Sequence, residues 1–134
     1  MRLEHANLAT TDVAGLAAFF ERFFEFELVL TRGRDAFALM RNTDGFVLTL
    51  MKSKKADPDR YPETFHLGLY CDTPDAVFAK HAEIAAAGFA PGEVQTLNRD
   101  GDVTTFYCTS PGNILIEIAT RPGFVARDGA ATET

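Results

Sequence analysis

The feature that most constrains this chain is a repeat within it. His5-Ala6-Asn7-Leu8 can be laid on His66-Leu67-Gly68-Leu69, an offset of 61 residues. Glu25-Phe26 matches Gly88-Phe89 at an offset of 63, and Asn42 to Met51 matches Ser110 to Ala119 without a gap at 68. An offset that rises along the chain means short insertions in loops, as expected of a duplicated module. A repeat of about 60 residues is too long for most solenoids, and only two copies are present. Both copies lie within 134 residues, the length of one compact domain. A chain of this size buries roughly 68% of its unfolded surface, enough for a real core.

Each copy reads as the same order of elements. Residues 3–9 alternate and form a strand. Thr10, Thr11 and Asp12 offer helix N-cap chemistry, and Leu16, Phe19, Phe20 and Phe23 follow at i, i+3, i+4 and i+7, the apolar stripe of an amphipathic helix. Strands follow over 26–32, 35–41 and 46–51, the last two separated by the turn Asn42-Thr43-Asp44-Gly45. Lys52 to Glu63 is a polar loop containing Pro58 and Pro62. The order then begins again. A strand spans 65–71, and Thr73 is the N-cap of a helix with Pro74 at its first position, where the missing N–H costs nothing. That helix runs to about Ala87 and Gly88 stops it. Strands over 92–98, 102–108 and 114–119 complete the second copy, with Ser110-Pro111-Gly112-Asn113 as a turn. The expected fold is therefore α+β. Two β-α-β-β-β modules, about 1–52 and 64–121, form a curved mixed-sheet cup within one domain, and 122–134 is a flexible tail.

Composition narrows the function by exclusion. Hydrophobic residues make up 46% and charged residues 24%, an ordinary globular balance. The net charge of −6 gives no nucleic-acid footprint, and the short basic run Lys52, Lys54, Lys55 reads as a solvated loop. No apolar stretch approaches the roughly 20 residues of a membrane span. The N-terminus enters an alternating pattern at once, which does not suit a signal peptide. Cys71 and Cys108 have no metal-site spacing and read as reduced, mostly buried thiols of a cytoplasmic protein. A small-molecule partner remains, with neither nucleic acid nor membrane.

The chain has three histidines, and two of them, His5 and His66, occupy equivalent places on the first strand of each module. The repeat also pairs Thr49 with Glu117 on the last strand of each module. A pseudo-twofold would bring His5, Thr49, His66 and Glu117 towards one centre. Three of the four can bind a metal. Two neutral imidazoles and a carboxylate suit a divalent transition metal such as Fe, Mn, Zn or Ni and leave positions open for substrate. The bland alternatives are structural or surface histidines and a glutamate on the solvated side of an edge strand. Against them stands a coincidence: two of the three histidines fall at repeat-equivalent sites, and Glu117 interrupts the apolar run Ile114–Ala119 where a third ligand is wanted. His81 lies mid-helix beside Lys80 and Glu83 and is not expected to be a ligand. Alternation puts Asn7 on the His5 face, Gly68 and Tyr70 on the His66 face, and Val47 and Met51 on the Thr49 face. Asn7, Thr49, Tyr70 and Tyr107 are candidate substrate contacts. Glu117 and Tyr107 are candidate catalytic groups, since a tyrosine near a metal can donate to a developing oxyanion.

Leu3-Glu4-His5-Ala6-Asn7-Leu8, followed by Thr11-Asp12-Val13 and a phenylalanine-rich helix, resembles the opening of vicinal-oxygen-chelate proteins, the glyoxalase, bleomycin-resistance and extradiol-dioxygenase group. Phe65-His66-Leu67-Gly68 resembles the start of their second module. Ser110-Pro111-Gly112-Asn113-Ile114-Leu115-Ile116-Glu117 resembles their closing signature, with Ser110 in place of the usual aspartate and one intervening residue missing or shifted. The resemblance covers residues 1 to about 121 and implies metal ligands at His5, His66 and Glu117. Thr49 stands where glyoxalase I has a carboxylate that serves as ligand and proton-transfer base, so methylglyoxal–glutathione isomerisation is not the expected activity. The resemblance implies a metal-dependent lyase, isomerase or dioxygenase. The alternatives are a drug- or metabolite-binding protein of the bleomycin-resistance kind and a fosfomycin-type thiol transferase. Tyr107 matches a substrate-contacting tyrosine of the fosfomycin enzymes, whereas Asn7 and Leu97 depart from their pattern.

A homodimer is expected. One module with exposed sheet edges cannot close a cup alone. Both modules of one chain can share a cup, or modules can be exchanged across a twofold axis. The Lys52–Glu63 loop reaches up to roughly 40 Å when extended, long enough for either.

Overall fold

The computed structural model describes residues 1–53 and 61–125. The flexible tail expected over 122–134 falls mostly outside them, as do Pro58, Lys54 and Lys55 of the polar loop. The first module runs β1 (His5–Thr10), α1 (Val13–Phe23), β2 (Glu27–Arg32), β3 (Phe37–Arg41) and β4 (Val47–Lys52). The second runs β5 (His66–Cys71), α2 (Pro74–Ala86), β6 (Gln95–Asn98), β7 (Asp102–Thr109) and β8 (Leu115–Thr120). This is the β-α-β-β-β order expected of each copy. The fold is α+β, built from two four-stranded sheets ordered β1-β4-β3-β2 and β5-β8-β7-β6. The first sheet is mixed. β1 pairs with β4 in parallel, whereas β2–β3 and β3–β4 are antiparallel. Only a crossover can join parallel neighbours, and α1 with the β2–β3 hairpin supplies it. None of the described helices is long and apolar enough to cross a membrane.

In the first module α1 starts where the sequence places its cap. Gly15 N donates to Asp12 Oδ1 at 2.9 Å, which satisfies one of the amides a helix start leaves open. The stripe Leu16, Phe19, Phe20 and Phe23 is buried, and so are Leu8, Ala38, Met40, Leu48 and Leu50 from the strands. The aromatic rings interlock. Phe20 meets Phe24 and Phe26 edge-on with centroids 5.5 and 5.3 Å apart, and Phe19 meets Phe23 at 5.1 Å. Strand β3 begins at Phe37, two residues later than the alternation suggests. Gly33, Arg34 and Asp35 all have positive φ, at 65°, 49° and 64°, which no strand can accommodate. In β2 the pairing shifts between Leu28 and Leu30, a bulge that sequence alternation does not reveal.

In the second module Thr73 caps α2 through its side chain, which accepts from Ala76 N at 3.1 Å, and Pro74 opens the helix. Gly88, at φ +90°, follows its end. Val77 and Ile84 of α2 are fully buried, as are Val103 and Phe106 of β7 and Ile116 and Ile118 of β8. Strand β6 is shorter than the 92–98 expected and begins at Gln95, although Gly92 N still donates to Tyr107 O of β7 at 2.8 Å. Both cysteines are free. Burial pushes the Cys108 thiol up to about 11, so it is a packed, uncharged group at neutral pH.

The Phe20 cluster sets the strength of the first module. Phe20→Ala is expected to lower unfolding free energy by about 3–5 kcal/mol, read from urea titration. A loss below about 1 kcal/mol would show that the neighbouring rings close over the gap.

Candidate functional site

The first and last strands of each module are hydrogen-bonded neighbours, so residues far apart in sequence come together on one sheet face. In the first module the register pairs Asn7 with Thr49 and His5 with Val47. The burial of β1 alternates. Leu8 and Thr10 are buried beneath α1's side of the sheet, whereas His5 and Asn7 are exposed on the other. Thr49 Oγ donates to Asn7 Oδ1 at 2.8 Å. Two expected substrate contacts are therefore joined in a neutral hydrogen-bonded pair on the same face as His5.

The second module holds the denser cluster. Glu117 lies within β8 between Ile116 and Ile118 and is only 8% exposed. A carboxylate so placed needs partners, and it has them. Arg99 Nη1 and Thr105 Oγ1 both donate to its Oε2 at 2.8 Å. Its Oε1 faces His66 Nε2 at 3.9 Å. Tyr107 hydrogen-bonds to both Glu117 and Arg99, and its ring stands edge-on to the His66 ring with centroids 5.7 Å apart. Phe106, next to Tyr107 in sequence, points to the opposite face, where the His81 ring meets it at 5.0 Å. His81 Nε2 lies 2.9 Å from Gly92 O, so this histidine serves the helix-to-sheet packing and is remote in chemistry from the cluster. Tyr70 is half exposed, and the Arg121 guanidinium lies over its ring at 5.8 Å.

The charges in the cluster follow from these contacts. Burial raises the Glu117 carboxyl, but hydrogen bonds from Arg99, Thr105 and Tyr107 outweigh it, and the group ends below its ordinary value. Burial and the hydrogen bond to Glu117 raise Tyr107, so its phenol is protonated at neutral pH and its proton is directed to Glu117, while its oxygen accepts from Arg99. Glu117 raises Arg99 in turn.

The donors fit part of a metal site. Two ligands bound near 2.1 Å from one ion stand about 3.0–3.4 Å apart, so the 3.9 Å between His66 Nε2 and Glu117 Oε1 closes with a small side-chain adjustment. Among the described residues, however, no group of three or more His, Cys, Asp or Glu is gathered closely enough to hold an ion. His66 and Glu117 supply two donors and are one short. Arg99 and Thr105 were not anticipated from the sequence. Thr105 shares the Tyr107 face of β7 by strand alternation and was within reach of that argument. Arg99 precedes a turn, where periodicity carries no signal.

The ion pair should be measurable. Arg99→Ala is expected to cost about 1–2 kcal/mol, the lower part of the range for hydrogen bonds to charged groups because Arg99 is a third exposed. The folded-state carboxyl of Glu117 lies below the unfolded value near 4.3. Its contribution is therefore present above that value and disappears as pH falls through the lower folded value. The difference in urea midpoint between wild type and Arg99→Ala should shrink between about pH 5 and pH 3. A difference constant across that window would show that Arg99 does not hold this carboxylate.

The profile of the Glyoxalase/Bleomycin resistance protein/Dioxygenase superfamily matches residues 2–118. No curated protein sequence matches the chain. Among solved structures, a possible glyoxalase from Bacillus cereus is 36% identical, with a TM-score of 0.74 over 88% of this chain and 97% of its own. A genomically encoded fosfomycin resistance protein, FosX, from Listeria monocytogenes is 17% identical, with a TM-score of 0.73 over 92% of this chain and 95% of its own. A lactoylglutathione lyase from Agrobacterium tumefaciens is 15% identical, with a TM-score of 0.71 over 89% and 92%. At such identities the last two show a shared fold and nothing finer. The match over nearly the whole repeat, and the Bacillus cereus relative, establish the rest: the chain belongs to the Glyoxalase/Bleomycin resistance protein/Dioxygenase superfamily.

Proposed function

We propose that this chain is a metal-dependent enzyme acting on a small molecule with two neighbouring oxygens, by lyase, isomerase or dioxygenase chemistry. The observation that carries the reading is the approach of His66 Nε2 to Glu117 Oε1 at 3.9 Å beside Tyr107. His66, Glu117 and His5 are the proposed ligands. His5 enters through its repeat equivalence to His66. The ion, Fe, Mn, Zn or Ni, supplies Lewis acidity towards the substrate oxygens. The chain supplies the rest. Arg99 and Thr105 keep Glu117 ionised and fixed through Oε2. Tyr107, as a protonated phenol, turns its proton from Glu117 to a substrate oxygen that gains charge. Thr49 and Asn7 offer neutral hydrogen-bonding groups, and Tyr70 an apolar ring with a hydroxyl. Threonine cannot shuttle a proton at neutral pH, which separates this chain from a strict glyoxalase I mechanism.

A second reading, a metabolite-binding protein without metal, draws on a specific observation. The Arg99–Glu117 pair at 2.8 Å satisfies the buried carboxylate with no ion present. Zinc titration separates the two. The enzyme reading expects about one divalent ion per chain, and His66→Ala should weaken binding by at least about 100-fold, since an imidazole ligand is lost. Equal affinity in wild type and His66→Ala would remove the metal site from this reading.

The assembly belongs to the same proposal. A single domain over 1–121 that forms a homodimer, with modules shared in one chain or exchanged between two, would complete the ligand set. His5→Ala chains and Glu117→Ala chains, each deficient alone, are unfolded and refolded together. In an exchanged dimer the mixed species regains one intact set of ligands and binds zinc. Sites formed within single chains regain none. Sedimentation as a monomer at micromolar concentration, with zinc bound, would sink the dimer.

A further inference from the structure

Strand β2 is the outer strand of its sheet, and among the described residues it pairs with β3 alone. Such an edge presents backbone N–H and C=O groups without a ladder partner, and proteins commonly guard it with charge or proline. Here its middle is apolar instead, with Leu28 38% and Val29 42% exposed.

The bulge gives β2 an internal symmetry. Glu27, Leu28, Leu30, Thr31 and Arg32 face Arg41, Met40, Leu39, Ala38 and Phe37 in turn, and Val29 is the extra residue. The ladder positions are therefore symmetric about Leu30. Glu27 and Arg32 close the two ends on one face, at a spacing that would put them on opposite faces of a regular strand. Leu28 and Thr31 share the other face, opposite the fully buried Met40 and Ala38. There they line an apolar groove of about 170 Å³ with Ala14, Ala17 and Ala18 of α1. Ala14 and Ala18 are exposed, and their methyl groups leave room beside the strand. The two ends carry opposite charge. Glu27 is 71% exposed and has a 3.4 Å contact to Arg41. Arg32 is exposed and has no ion-pair partner among the described residues.

We propose that the outer edge of β2 is an interaction surface for a second copy of this chain, the two β2 strands running antiparallel about a twofold axis at Leu30. In that pairing Glu27 of each copy lies opposite Arg32 of the other, and Leu28 lies opposite Thr31. The second copy's Leu28 thus comes to the mouth of the groove, and the two Val29 side chains meet near the axis. Such self-complementarity is what a twofold contact requires. The bulge supplies the selectivity. A regular partner strand falls out of register by one residue at Val29, which turns the rest of its side chains to the wrong face. An identical strand with its own bulge at the axis stays in register. The contact uses the first module alone. It needs neither a metal nor an exchange of modules.

Charge reversal tests it at exposed positions. Glu27→Arg sets like charges opposite each other at both ends of the pair, and so does Arg32→Glu. Each variant alone should associate about tenfold or more weakly than wild type, because two attractive cross-strand contacts become repulsive. An equimolar mixture of the two variants restores opposite charges at both ends and should associate within about threefold of wild type. Sedimentation equilibrium across the micromolar range reads all samples. The mixture also controls for folding, since damaged chains do not recover association together. Equal masses in wild type, both variants and the mixture overturn the proposal, and so does a mixture no better than its components. An exchanged dimer without this contact gives a dimer mass in every sample. A monomer mass in every sample removes both.

Discussion

The adjacency of first and last strands within each sheet is the constraint on which the rest depends. Each sheet is ordered with the first strand at one edge and the last strand beside it. In the first module that pairing is parallel, with Asn7 level with Thr49. Residues more than forty positions apart thereby share a face, and the helix is pushed to the other. In β1, β3 and β4 the alternate residues Leu8, Thr10, Ala38, Met40, Leu48 and Leu50 are buried and the others are left more open. Duplication of this unit is what repeats the arrangement, with a histidine on the first strand in both copies. The two copies differ at the partner on the last strand. Thr49 makes a neutral pair with Asn7, while Glu117 makes a charged cluster with Arg99, Thr105, Tyr107 and His66.

That difference decides where chemistry can reside. A neutral pair such as Asn7–Thr49 can orient a polar ligand but cannot take or hold a charge. Glu117 is ionised, nearly buried and cross-braced. Oε2 takes the hydrogen bonds from Arg99 and Thr105, which turns Oε1 towards His66. Thr105 and Arg99 converge on Oε2 at equal distances. Loss of either partner would remove one of the two bonds that fix Oε2. This is why the charged part of the proposed site lies in the second module, while the first contributes His5 and a neutral pair.

Much of the fold was legible because it rests on local rules. Alternation and turn residues marked the eight strands, a 3.6-residue stripe marked the first helix, and Asp12, Thr73 and Pro74 marked the helix starts that the structure shows. The family followed from short motifs in order. What was not legible is what backbone conformation and side-chain reach decide. Alternation continues through Asp35, yet three successive left-handed residues delay β3 to Phe37. The bulge between Leu28 and Leu30 leaves no mark on composition. The placement of His66 near Glu117 was anticipated from the repeat. The arginine that braces Glu117 was not, because it reaches the site from a turn.

Arg99 also explains how a glutamate can sit between two buried isoleucines without destabilising the strand. An unpaired carboxylate there would take up a proton and become neutral, the direction in which burial alone moves it. The guanidinium, the threonine hydroxyl and the tyrosine hydroxyl reverse that direction. The module can therefore fold with Glu117 already charged and aimed, and any ligand meets a preorganised group instead of having to create one.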